Sequence, residues 1–96
     1  MNATDGTRAG ALRPTSVAVL PFGPLREIVG RSRVTINLDP SDSTVGELWG
    51  YLVDIYPRLA PLRSTTRTAR NGAFVDDATR LADEDEVALL PPFGGG

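Results

Sequence analysis

Residues Thr44 to Pro57, TVGELWGYLVDIYP, decide the fold. Thr44 with Glu47 three residues on is a capping-box pair: the hydroxyl accepts from the backbone N–H near Glu47, and the carboxylate reaches back. Val45, Leu48, Trp49, Leu52, Val53 and Tyr56 recur at helical spacing and form one apolar stripe that stops before Pro57. The spacing therefore predicts one amphipathic helix with a single face to bury. Gly46 costs that helix roughly 1 kcal/mol relative to alanine. Trp49, lying on the stripe, is read as core rather than as a ligand-stacking residue.

Upstream, Val17-Ala18-Val19-Leu20 is a short apolar run of the kind found in a covered strand. Phe22-Gly23-Pro24 breaks it, and Leu25 to Gly30 suits one helical turn closed by glycine. In Arg33-Val34-Thr35-Ile36-Asn37-Leu38 the apolar residues alternate strictly, as in a strand with one buried face, and Pro40 ends it. The first two strands most simply form a hairpin. Residues 1–14 are small, polar and aperiodic, and are expected to be a disordered extension.

Downstream, residues 58–66 read as a loop. Thr66 to Arg70, Asn71-Gly72 and Ala73-Phe74-Val75 read as strand, tight turn and strand, since Asn-Gly is the strongest short hairpin signal. The turn itself carries no further expected role. The acidic run Asp83-Glu84-Asp85-Glu86, near Asp76 and Asp77, lacks the spacing of a calcium loop and is read as a solvated turn. Val87 to Leu90 is the last strand. One helix covering one face of a mixed four- to five-stranded sheet is a two-layer α+β domain over residues 15–90. Residues 91–96 form a separate tail.

Composition narrows the chemistry. With neither cysteine nor histidine, the chain has no disulfide, no thiolate site and no imidazole base. No metal site and no bound cofactor are expected. A net charge of −2 gives no electrostatic reason to bind nucleic acid. All ten basic residues are arginines, so no side-chain isopeptide bond can form on this protein. Arg63, Arg67 and Arg70 are read as ordinary surface arginines. No apolar stretch is long enough for a membrane span or a signal peptide, and nothing argues against a cytoplasmic protein.

The sequence ends Pro91-Pro92-Phe93-Gly94-Gly95-Gly96, directly behind Leu89-Leu90. Glycine has no Cβ, so Gly94, Gly95 and Gly96 can thread a narrow channel, and the carboxylate of Gly96 becomes the candidate reactive group. Six extended residues reach at most ~20 Å. Five consecutive apolar residues cannot all face one side of a strand. Leu90, Pro91, Pro92 and Phe93 are accordingly the expected partner-docking residues, with Pro92 and Phe93 most exposed.

Phe22 to Gly30, Ser43 to Leu48, Asn71, Leu81 to Val87 and the terminus together resemble the ubiquitin-like β-grasp sulfur carriers, over nearly all of residues 16–96. Pro91-Pro92 before the last four residues looks more like the molybdopterin synthase branch, which serves molybdenum cofactor biosynthesis, than the thiamin branch. Glu84 stands where the family commonly has glycine, which implies a different or strained turn. Leu89 and Leu90 stand where aromatic residues are common in the molybdenum branch.

The resemblance implies that a ubiquitin-activating-like adenylyltransferase uses ATP to adenylate Gly96. A sulfur donor then makes the thiocarboxylate, and a sulfur-accepting synthase, with the molybdopterin synthase large subunit favoured, receives the sulfur. It implies no catalytic side chain on the carrier itself. The alternatives are a carrier for thiamin, cysteine or natural-product synthesis, a ubiquitin-like protein modifier, or an interaction module with an inert terminus.

Overall fold

The computed structural model describes residues 13–92. The expected extension over residues 1–14 therefore lies, apart from Arg13 and Pro14, outside the described residues, as do Phe93, Gly94, Gly95 and Gly96.

Seven elements follow one another: β1 (Thr15–Pro21), α1 (Pro24–Val29), β2 (Val34–Leu38), α2 (Val45–Ile55), β3 (Arg67–Arg70), β4 (Ala73–Val75) and β5 (Glu86–Leu90). Short 3-10 turns span Pro40–Asp42 and Pro57–Thr65. The five strands form one mixed sheet in the order β2-β1-β5-β3-β4. β1 and β2 are antiparallel, with Val17 opposite Ile36, as the hairpin reading expects. β5 then runs parallel to β1 and antiparallel to β3, so the last strand lies in the middle of the sheet.

The predicted helix is α2, and its capping box is complete. Glu47 N donates to Thr44 Oγ1 at 3.2 Å, and Thr44 N donates to Glu47 Oε1 at 3.3 Å. The other donors of the first turn reach across the chain, Val45 N to Thr79 O at 2.9 Å and Gly46 N to Asp77 O at 3.0 Å. A Cβ on Gly46 would lie 3.4 Å from that same Asp77 carbonyl oxygen, an ordinary van der Waals contact. Val45, Leu48, Trp49 and Leu52 are fully buried. Each is worth about 1.5–3 kcal/mol, which outweighs the cost of Gly46.

Those side chains meet Val17, Val19, Val87 and Leu89 from the sheet, with Leu25 and Val29 of α1 and Leu59 and Leu81 from the connections. Every buried apolar side chain of a helix belongs to this one cluster, so the helices cover a single face of the sheet. Trp49 is core, as read, and its indole Nε1 donates to Thr68 Oγ1 at 3.1 Å.

Three expectations change. Residues 57–65 are successive 3-10 turns rather than an unstructured loop, and they deliver Leu59 to the core. Short i→i+3 turns tolerate residues without an N–H, here Pro57 and Pro61.

The acidic run is not simply a solvated turn. Asp85 is buried; it accepts from Ala82 N and from Asn71 Nδ2, while Asp83 accepts from Ser16 N. Nor is Asn71-Gly72 only a turn. Asn71 has φ 48°, its amide oxygen accepts from Glu86 N at 2.8 Å, and its backbone N donates to Glu86 O at 2.8 Å. The hairpin tip is thereby bonded to the start of β5.

Glu84 carries the strain implied by a side chain at a glycine position, with φ 71°. No helix among the described residues is long and apolar enough to cross a membrane.

Candidate tail-presenting site

The central position of β5 determines how the tail leaves the domain. Leu89 pairs with Pro21 of β1 and Thr68 of β3, and its carbonyl accepts from Phe22 N at 3.1 Å. Leu90 pairs with Arg67. The chain is thus held from both sides up to Leu89 and from one side at Leu90, the last residue before Pro91. Pro91 is half-buried and Pro92 exposed.

Pro91 packs against the turn that follows β1. Gly23 has φ 58° and ψ −136°, a conformation essentially reserved to glycine. A Cβ there would stand 3.1 Å from Pro91 Cγ. The Phe22-Gly23-Pro24 break therefore starts α1 and also leaves room for the base of the tail.

Strand alternation places Val19, Val87 and Leu89 in the core and Leu20, Ala88 and Leu90 on the opposite face. Ala69 of β3 and Phe74 of β4, paired with each other, continue that face. Phe74 is 57% exposed, and Phe22, just past β1, is 42% exposed. An apolar sheet face thus runs up to the tail's point of departure.

Of the expected docking residues, the structure brings Leu90, Pro91 and Pro92 together here; Phe93 and the glycines lie outside the described residues. The same face also carries Leu20, Phe22, Ala88 and Phe74, which the sequence reading did not single out for docking. Alternation alone could have singled out Leu20 and Ala88, whereas Phe74 required the strand order.

The surface arginines are also more engaged than read. Arg63 pairs with Asp77 at 2.9 Å and lies 5.8 Å from the Trp49 ring centroid. Arg70 donates to Arg80 O at 2.9 Å. Arg67 stacks on the Phe74 ring with its guanidinium carbon 3.7 Å from the centroid. Among the described residues no three His, Cys, Asp or Glu side chains are grouped as metal ligands.

A five-stranded mixed sheet with its last strand in the middle and one main helix on one face is the ubiquitin-like β-grasp arrangement. The chain belongs to the ThiS family, whose model matches residues 19–96.

Among curated proteins, it is 34% identical over 80 residues to the molybdopterin synthase sulfur carrier subunit of Arabidopsis thaliana, covering 83% of this chain and 82% of the relative. Among solved structures it is similar to SAMP1 from Haloferax volcanii. That match has a TM-score of 0.74 and 30% identity, and covers 84% of this chain and 99% of that one. It is also similar to a chain in the complex of subunits 1 and 2 of molybdopterin-converting factor from Helicobacter pylori. There the TM-score is 0.61 and the identity 27%, with 84% and 99% covered.

Proposed function

We propose that this chain is the sulfur carrier subunit of a molybdopterin synthase, with the Gly96 carboxylate as its reaction centre. The carrying observation is the seating of β5 in the middle of the sheet, which holds the base of the tail between two strands beside an uncovered apolar face. Membership of the ThiS family and likeness to curated carrier subunits support the same reading.

The chemistry follows from the weakness of a carboxylate as an electrophile. In the partner activating enzyme a Gly96 oxygen attacks the α-phosphorus of ATP and releases pyrophosphate. Sulfide delivered by the donor then attacks the acyl carbon and displaces AMP, leaving the thiocarboxylate. The domain binds no ATP and contributes no catalytic side chain; it presents Gly94 to Gly96 to successive partners. Leu90, Pro91, Pro92 and Phe93 dock, and the synthase large subunit accepts the sulfur. The H. pylori relative, solved as a complex of subunits 1 and 2, supports a large-subunit partner.

The test is intact-mass spectrometry after incubation with ATP, the activating enzyme and a sulfur donor from the same genome. Replacement of one oxygen by sulfur at Gly96 is expected. Unchanged mass with every activating enzyme that the genome encodes refutes the reading.

Likeness to SAMP1, another of the solved structures titled a small archaeal modifier protein, favours a second reading as a protein modifier joined through Gly96 to lysines of targets. Immunoblots of cell extracts decide between the two: a carrier gives no high-mass conjugates, and a modifier gives a ladder.

A further inference from the structure

Arg67 is an exposed arginine beside the base of the tail. It is paired in the sheet with Leu90, and its guanidinium carbon lies over the exposed Phe74 ring, 3.7 Å from the centroid. Of the arginines on the same side of the domain, Arg63 is answered by Asp77 at 2.9 Å and lines the same cleft as Arg67. Arg70 and Arg80 donate to the carbonyls of Arg80 and Pro40. No carboxylate among the described residues lies within ion-pairing distance of Arg67. The open cleft, of about 590 Å³, is lined also by Trp49, Thr66, Thr68, Phe74 and the Arg63–Asp77 ion pair, in which Asp77 is already engaged by Arg63.

A partner that covers the apolar face strips water from this guanidinium. Burying an unmatched charge costs several kcal/mol, more than the ~0.5–1 kcal/mol that an exposed cation–π contact supplies. The partner must therefore bring an acceptor. A carboxylate meets the fork of an arginine with two parallel charge-assisted hydrogen bonds. The contact with Phe74 already restricts where that guanidinium lies, so less side-chain freedom is lost on pairing.

We propose that Arg67 is a specificity-determining contact of the docking face: the large subunit that receives the tail presents an Asp or Glu side chain to the Arg67 guanidinium, in the cleft beside Phe74. This rests on the reading of the chain as the carrier subunit of a molybdopterin synthase. It adds the charge that the partner must carry and the position where it must sit.

The test is calorimetric titration of the full chain into the large subunit from the same genome, at low and high salt. Arg67→Leu is expected to weaken binding roughly tenfold and Arg67→Glu roughly a hundredfold, the range of a paired interfacial charge. Raising the salt should weaken the wild type more than Arg67→Leu. An Asp-to-Arg or Glu-to-Arg change on the large subunit should restore binding of Arg67→Glu.

Thermal unfolding of each variant accompanies the titration. Arg67→Gln, which keeps the length and polarity of the side chain, should reproduce the loss of Arg67→Leu at an unchanged melting temperature. Variants that bind the large subunit as the wild type does overturn the proposal. So does a defect confined to adenylation, which would make Arg67 a contact of the activating enzyme. A wild-type chain that does not bind the large subunit at all overturns the carrier reading itself, and this inference with it.

Discussion

Gly23 and Pro91 touch through a gap that only glycine leaves: a Cβ on Gly23 would stand 3.1 Å from Pro91 Cγ. The turn after the first strand and the base of the tail are therefore fitted to one another. Gly23→Ala adds a steric conflict with Pro91 to a backbone strain of about 1–3 kcal/mol. We expect a loss of about that size in denaturant unfolding. Pro91→Ala should recover only the steric part. A double-mutant cycle with no coupling between the two positions would show that the contact is incidental.

Asn71 ties the β3–β4 hairpin to β5 through Asp85 and Glu86. Asn71→Ala removes both side-chain bonds, leaves the buried Asp85 carboxylate short of a donor, and places alanine at positive φ. A loss of about 2–4 kcal/mol is expected. Asn71→Gly, which keeps the φ but not the bonds, should lose about 1–3 kcal/mol. Equal stability of Asn71→Gly and the wild type by urea titration would contradict the role given to the amide.

Glu84 sits at φ 71°, where a side chain is strained. Glu84→Gly should stabilise the domain by about 0.5–1 kcal/mol, the left-handed penalty less the greater chain entropy of glycine when unfolded. A lower melting temperature would mean that the glutamate side chain contributes more than its backbone strain costs.

The indole of Trp49 donates to Thr68 in the core. Trp49→Phe strands the Thr68 hydroxyl and leaves a small void, and should cost about 2–4 kcal/mol. Thr68→Val in the same chain removes the stranded hydroxyl and should return about 1 kcal/mol. A Thr68→Val change that destabilises both backgrounds equally, in thermal scans, would refute the pairing.

Asp39 is held below the ordinary carboxylate value of 3.8, first by the Ser41 hydroxyl and then by the Ser41 backbone N–H. A lowered folded pKa stabilises above the unfolded value and loses that contribution as pH falls through the folded one. The contribution of this turn is therefore constant at neutral pH and disappears only in acid. Ser41→Ala should raise the Asp39 midpoint in a carboxyl NMR titration; an unmoved midpoint would remove the cause assigned here.

What the sequence determined by itself was local. The capping box Thr44–Glu47, the apolar stripe of α2 and the Asn71-Gly72 turn each involve residues within a few positions of one another, so their chemistry is visible along the chain. The alternation in β2 belongs with them. The proposal of Gly96 as the reaction centre likewise draws on the sequence alone, through glycines that carry no side chains.

Tertiary structure decided whatever depends on distant partners. Pairing of β5 with β1 and β3 placed Leu90 beside Arg67 and brought Gly23 under Pro91. Asp85, read as solvated, became a buried acceptor because Asn71 arrives from the hairpin. The 3-10 segment Pro57–Thr65 escaped notice because only packing reveals Leu59 as core. Arg67 illustrates the limit most directly. An arginine in a sequence is one cation among ten; that no acid among the described residues answers it follows only from where every other charge lies in space.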